Sequence, residues 1–351
     1  MNTNVGIVIT TMDRAEFIKR QLEYYASANS PHTVYIGDSS NPEQVAKIEE
    51  SIARFKNKIK IVYKFFPKTV GVQLCAQQMI DAITEKYFAI IGDDDFQIPS
   101  SLTKCAEFLE NNPDYATAHG HAVAIRVKNN SVYGELSKIK DYPEPEIKNE
   151  SAQDRIVNYL EHYYPTIFSV TRLEVIKEGY KYSDSITDKS FSSEMLPCAL
   201  GIVAGKSKLI DCLSFVRQIH DGRYLLPDMY DWITQNDWSK EYQIFQEIMI
   251  RAIAKKDAIP EKQAQRALKK GFWTYLNIQM SREIYEVFPV DKKISMKNLI
   301  RQKFPFLIPL YKIVKPMFSK KRWLHAEVIN PQSPYYQDFK AVKDSIEQIP
   351  K

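Results

Sequence analysis

Three consecutive carboxylates, Asp93, Asp94 and Asp95, end the apolar run "YFAIIG" at residues 87–92. Adjacent acids at the end of a buried strand repel one another, and that cost persists unless water at an exposed turn or a bound cation neutralises them. In extended chain the carboxylates at i and i+2, here Asp93 and Asp95, can converge on one hard divalent cation through oxygen ligands. Mg2+ or Mn2+ held in this way keeps positions open for substrate phosphates. Strand-end aspartates also serve as plain helix caps and turn formers, so the surroundings decide between the two. A second pair, His119 and His121, is expected to share one face of "YATAHGHAVAIRV" (115–127). Two imidazoles with no third ligand nearby are more often packing groups than a zinc site.

The elements around the acids alternate in type. "VGIVITT" (5–11) is a short β-branched run, and "AEFIKRQLEYYA" (15–26) carries apolar residues at helical spacing. "HTVYIGDSS" (32–40) repeats the strand, and "PEQVAKIEESIARF" (42–55) repeats the helix, with Pro suited to a first turn. A third strand fits 58–65, a third helix 72–85 and a fourth strand 87–92. Strands alternating with helices imply a mainly parallel sheet covered on both faces. Ligands of such sheets bind beyond the carboxyl ends of the strands. That rule places "TMDR" (11–14), "GDSS" (37–40) and the three acids on one edge.

These stretches, together with "GVQLCAQQMIDAITEKYFAIIGDDD" (71–95) and "SSEMLPCALGIVAGKS" (192–207), resemble the nucleotide-sugar-dependent glycosyltransferases of GT-A fold, the large inverting family two and its relatives. The resemblance is specific to about Asp95 and runs on to about Asp221. It implies an α/β, Rossmann-like GT-A fold followed by a C-terminal helical region. Thr11 and Arg14 would then line the nucleotide pocket, Asp38 would bond base or ribose, and Gly71 would let the backbone approach the nucleotide. Asp93 and Asp95 match the metal-binding DxD motif, with Asp93 and Asp94 in the donor-binding set. A cation held there would stabilise charge developing on the leaving nucleoside diphosphate.

Inverting transfer also needs a carboxylate to take the proton from the acceptor hydroxyl. Glu194 stands at an expected helix start, where the family places its Asp or Glu base, with Asp188 as runner-up and Ser192 and Ser193 as caps. The plainer reading of Glu194 is a helix N-terminal acid favoured by the dipole. "VRQIHDGR" (216–223) resembles the family's late His, so His220 is a candidate metal ligand and Arg217 a candidate phosphate donor.

Elsewhere, residues 128–150 read as an exposed polar excursion, with a helix resuming at Ser151 and Asp154 as its cap partner. The four cysteines form no CxxC pair and no basic-then-apolar leader opens the chain, which reads as a reducing, cytoplasmic protein. Two helices flank 257–260, with Phe272, Trp273 and Tyr275 expected on a packed face. The expected division is a catalytic domain at 1–225, with nucleotide-binding (1–98) and acceptor-side (99–225) halves, then a helical region at 226–290 and a basic amphipathic segment at 291–351.

The net charge is +5, yet residues 292–322 hold ten Lys or Arg and no acid, which leaves −5 for the rest. Prolines 305, 309 and 316 interrupt that segment, and its uncharged core at 304–311 is far short of the roughly 20 residues a spanning helix needs. Apolar groups between cations suit an anionic membrane surface, so the protein is expected to be peripheral on the inner face, with a glycan or lipid-linked acceptor. Nucleic acid is not an expected partner, because the segment carries no reading motif and the expected cleft is acidic. A nucleotidyltransferase would need a Gly-rich turn where "TTMDR" stands. A degenerate GT-A fold that binds a glycan or partner without turnover is the remaining alternative.

Overall fold

The computed structural model describes residues 3–182, 184–222, 226–287 and 323–347. Within them β1 (Val5–Thr11), β2 (Thr33–Asp38), β3 (Ile61–Phe65) and β4 (Tyr87–Gly92) pair in parallel, with β1 between β2 and β4. Their crossovers are α1 (Ala15–Ser27), α2 (Pro42–Phe55) and α3 (Gly71–Asp81). At the start of α2 the Asn41 side chain accepts from Gln44 N at 3.2 Å and Pro42 takes the first turn, as the sequence expects.

The second half of the sheet is mixed. β6 (Tyr115–Val127) runs parallel to β9 (Lys206–Gln218), while the three-residue β8 (Val170–Arg172) runs antiparallel between β4 and β6. β5 (Phe96–Gln97) closes the far edge against β9. The stretch expected as an exposed excursion contains β7 (Leu136–Tyr142), which returns along β6 after a short connection and therefore pairs antiparallel to it. The full order among the described residues is β3-β2-β1-β4-β8-β6-β9-β5, with β7 beside β6.

Alternation along the strands feeds two apolar layers. In β1, Val5, Ile7 and Ile9 pack with α1, α2 and α4 (Pro99–Asn111), whereas Val8 faces the opposite layer. That second layer holds α3, α5 (Ala152–Glu161), α6 (Leu173–Tyr180), α7 (Leu196–Ala204), α8 (Met229–Ile233), α9 (Trp238–Asp257) and α10 (Glu261–Val287). Phe272 and Tyr275 of α10 are buried there, but Trp273 is 56% exposed, because consecutive helical residues point about 100° apart.

The chain end is part of the first layer. α12 (Tyr336–Glu347), which follows the short α11 (Leu324–Glu327), buries Phe339, Val342 and Ile346 among α1 and the β-strands. The basic segment at 292–322 lies outside the described residues. No helix among the described residues is long and apolar enough to cross a membrane.

His119 and His121 do not share a face. β6 shifts register against β9 across Gly120, where an added Cβ would run into the Cys212 carbonyl, and again just after His121. His119 turns to Glu144 at 3.5 Å and to Tyr164 in the second layer, while His121 meets Asp211 at 3.1 Å and Tyr335 in the first.

Candidate active site

The ends of β1, β2 and β4 meet on one edge, as the strand-end rule requires. Thr11 is in register with Asp38, Thr10 with Gly92, and Ser39 N donates to Thr11 O at 3.0 Å. Thr11 Oγ1 donates to Asp93 Oδ2 at 2.7 Å. Arg14 lies 2.6 Å from Asp93 Oδ1 and donates to Asp94 Oδ2 at 3.1 Å, while its guanidinium stacks 4.3 Å above the Phe17 ring. His220 Nε2 reaches Asp94 Oδ2 at 2.8 Å, and its ring stacks on Phe17. So His220 pairs with Asp94, where the sequence reading grouped it with Asp93 and Asp95.

The three carboxylates differ in environment. Burial pushes Asp93 up to about 6 against the pull of Arg14. Asp94 goes the other way: despite burial, the His220 hydrogen bond and Arg14 hold it below its ordinary value. Asp95 Oδ1 accepts from Gln218 N of β9 at 2.8 Å.

Two residues that sequence reasoning passed over hold this loop from beneath. Arg20, fully buried in α1, donates to Asp94 O at 2.8 Å and to Gln218 Oε1 at 2.7 Å. Gln21 beside it donates to the carbonyls of Asp93 and Asp95. In sequence both look like the polar face of an amphipathic helix. The one signal is that 20 and 21 follow Phe17 and Ile18 by a single turn, which puts them against the same sheet edge.

Around the same edge, Asp38 is buried, accepting from Ser40 N at 2.8 Å and from Tyr63 Oη at 2.9 Å. Asp13 sits at φ 57° and ties three segments together, taking Asn41 N at 2.7 Å and Lys68 Nζ at 2.7 Å. Gly71 opens α3 at φ +74°, a conformation that favours glycine, and a Cβ there would meet nothing within 4 Å. Met12, Phe65 and Val72 are large exposed apolar side chains of the adjoining segments.

Around Glu194 the helix starts earlier than the sequence suggests, and Ser192 and Ser193 do not cap it. Their hydroxyls bond back to the carbonyls of Asp188 (2.6 Å) and Lys189. The cap is Asp188, which accepts from Phe191 N at 2.8 Å and from Trp232 Nε1 at 3.0 Å. Both its oxygens are thereby engaged, and burial raises it against those two bonds. Glu194 lies in a π-helical turn (Phe191–Met195) that leads into α7, the kind of irregularity often found at functional sites. Its Oε1 accepts from Tyr163 Oη at 2.7 Å. Burial pushes its carboxyl above the ordinary range, opposed by that bond and by the Arg217 charge. Ser192 Oγ, bonded to Gln73 Oε1 at 2.8 Å, ties this turn to the first turn of α3.

Arg217 stands on β9. It donates to Tyr142 Oη at 2.7 Å, stacks on Phe168, and is held above its ordinary value, against burial, by Tyr142, Asp95 and Glu194.

Residues 6–180 match the family model described as "Glycosyl transferase family 2". The chain carries a glycosyltransferase family 2 domain. Among solved structures it is similar to S. aureus TarS 1-349, at 12% identity and a TM-score of 0.51, over 97% of this chain and 90% of that one. At that identity the likeness is one of fold. S. aureus TarS 1-349 in complex with UDP-GlcNAc is a further neighbour, at 12% identity and a TM-score of 0.42, over 80% of this chain and 91% of that one. No curated protein matches the chain. Glu194, Arg217 and His220 lie beyond the residues that the family model covers.

Carboxylate oxygens suit a hard cation such as Mn2+ or Mg2+. Among the described residues, however, no three His, Cys, Asp or Glu side chains are gathered as a metal cluster. The charge set against Asp93 and Asp94 in this structure is the Arg14 guanidinium. The donor set therefore fits a divalent cation in its chemistry, provided that Arg14 yields its place.

Proposed function

We propose that this family 2 glycosyltransferase transfers its sugar with inversion, with Glu194 as general base, and that the donor's nucleoside diphosphate lies along the edge formed by Thr11, Arg14, Asp38, Gly71, Asp94 and Arg217. The observation that carries this reading is the convergence of Thr11, Arg14 and His220 on Asp93 and Asp94 just past the end of β4.

The residues divide the work as follows. Met12, Phe65 and Val72 offer apolar surface for a flat nucleobase, and the open space at Gly71 admits the nucleotide's backbone-facing edge. Arg14 and Arg217 are donors for phosphate oxygens, the guanidinium fork matching them in bidentate fashion. A divalent cation held by Asp93 and Asp95, with His220 nearby, would supply charge stabilisation for the leaving phosphate. Glu194 takes the proton from the acceptor hydroxyl. The acceptor oxygen bonds to the anomeric carbon, and the bond to the β-phosphate oxygen breaks with its electron pair leaving on the nucleoside diphosphate. A raised carboxyl is a better base than an ordinary glutamate, because its proton affinity lies closer to the working pH.

Asp188 is the weaker candidate, since Phe191 N and Trp232 hold its oxygens. The ten cations of 292–322 support an acceptor presented at an anionic membrane surface, such as a lipid-linked or cell-surface glycan. The test is turnover of nucleotide sugars by Glu194→Gln and Asp188→Asn. Loss of at least a hundredfold in kcat for the first with a smaller loss for the second is expected, and the reverse order would transfer the base role to Asp188.

A further inference from the structure

Tyr163 follows α5, within the residues matched to the family model but far in sequence from the acids and from Glu194. Its hydroxyl reaches Glu194 Oε1 at 2.7 Å, and among the described residues no hydrogen bond is seen to Oε2. The ring is held from two sides: edge-on by Tyr275 of α10, with centroids 4.9 Å apart, and by Tyr159 of α5 at 5.3 Å. The C-terminal helical region thereby touches the side chain that holds Glu194.

Resting on the reading of Glu194 as the base, we propose that Tyr163 is its positioning residue, fixing the carboxylate by one oxygen and reserving the other for the acceptor's proton. A π-helical turn gives Glu194 a backbone position that a regular α-helix would not, so its side chain needs an anchor from a neighbouring element. The bond from Tyr163 also favours the ionised form, which is the form that accepts a proton.

The groups facing Glu194 make this readable by pH. Arg217 of β9 is cationic throughout. Tyr142 of β7, Tyr159, Tyr163, Tyr180 of α6, Tyr275 and Cys198 of α7 are all pushed up by burial, with Tyr142 and Cys198 at about 12. Glu194 is the only carboxyl of this set, so it is the one group that changes charge below the range of the phenols and the thiol.

The experiment measures kcat, KM and the pH profile of donor hydrolysis, with water as acceptor, for the wild type, Tyr163→Phe, Tyr275→Leu and Glu194→Gln. The donor is whichever UDP-, GDP-, CMP- or dTDP-sugar stabilises the protein most. Tyr163→Phe is expected to lower kcat roughly tenfold with the donor KM unchanged, and to move the acid limb up by about one pH unit. Tyr275→Leu keeps the hydroxyl but loosens the ring. It should lower kcat less and leave the acid limb in place, and it serves alone if the first variant does not fold. An inactive Glu194→Gln beside a Tyr163→Phe profile that matches wild type would overturn the role of Tyr163. An unchanged kcat in Tyr275→Leu would do the same where Tyr163→Phe is not folded. An active Glu194→Gln would instead remove the base reading, and the role of Tyr163 with it.

Discussion

At the end of β4 a single guanidinium, Arg14, touches Asp93, Asp94, His220 and the face of Phe17. Removing one partner of a buried charge pair leaves the other uncompensated. The usual cost of 3–5 kcal/mol shrinks here because the Arg14 side chain is a quarter exposed. Arg14→Ala should destabilise the fold by roughly 2 kcal/mol, seen as a lower melting temperature, and millimolar Mn2+ should restore part of it by supplying the missing positive charge. A Mn2+ response no larger than that of wild type would take the strand-end acids out of the metal reading. The acids themselves were legible in the sequence because they are contiguous and close an apolar run. Arg20, Gln21 and Tyr163 were not, because what distinguishes them from surface residues is which neighbour buries them, and that is settled by the fold.

Elements carry the next layer of information. His32 joins the start of β1 to the start of α4, accepting from Val5 N at 3.1 Å through Nδ1 and donating to Pro99 O at 2.9 Å through Nε2. Burial lowers its pKa, with the Pro99 bond opposing. A His depressed in the fold contributes stability that is complete above its ordinary value of about 6.5 and is lost as pH falls below that, since the unfolded chain binds the proton more readily. Denaturant midpoints should therefore drop between pH 7 and pH 5, and His32→Gln should flatten that dependence. An unaltered slope in the variant would show that other groups set it. Gly71→Ala is a second test at this scale. The backbone there lies at φ 74°, ψ 157°, so alanine should cost about 1–3 kcal/mol by denaturant unfolding although its methyl meets open space. Strand and helix order through β4 follows from the period of the sequence, and β6 has the bounds expected. The β6–β7 hairpin was hidden, because 136–142 is half polar and exposed and carries no continuous apolar signal.

The whole molecule combines a family 2 domain with helices that return to both faces of its sheet. α9 and α10 cover α7 and the turn that carries Glu194, and α12 covers the opposite layer, although in sequence it follows the basic segment at 292–322. Composition alone does not reveal that docking, because the short α12 pattern of Phe339, Val342 and Ile346 suits a packed helix anywhere. For the basic segment, each cation near an anionic surface adds on the order of 1 kcal/mol, so replacing Lys320, Lys321 and Arg322 by Gln should weaken vesicle partitioning about a hundredfold. Sedimentation with phosphatidylglycerol vesicles checks this, and partitioning insensitive both to these substitutions and to salt would exclude an electrostatic membrane contact.

The most direct measurement is a thermal-shift panel of UDP-, GDP-, CMP- and dTDP-sugars, with and without Mn2+, on the wild type and on the Asp93→Ala/Asp95→Ala variant. A ligand that binds only the folded state raises its melting temperature, so a donor site has to show itself here. One nucleotide class should stabilise the wild type more with Mn2+ than without, and this enhancement should vanish in the variant. Stabilisation that is the same with and without metal and survives loss of both carboxylates would contradict a donor site built on the end of β4.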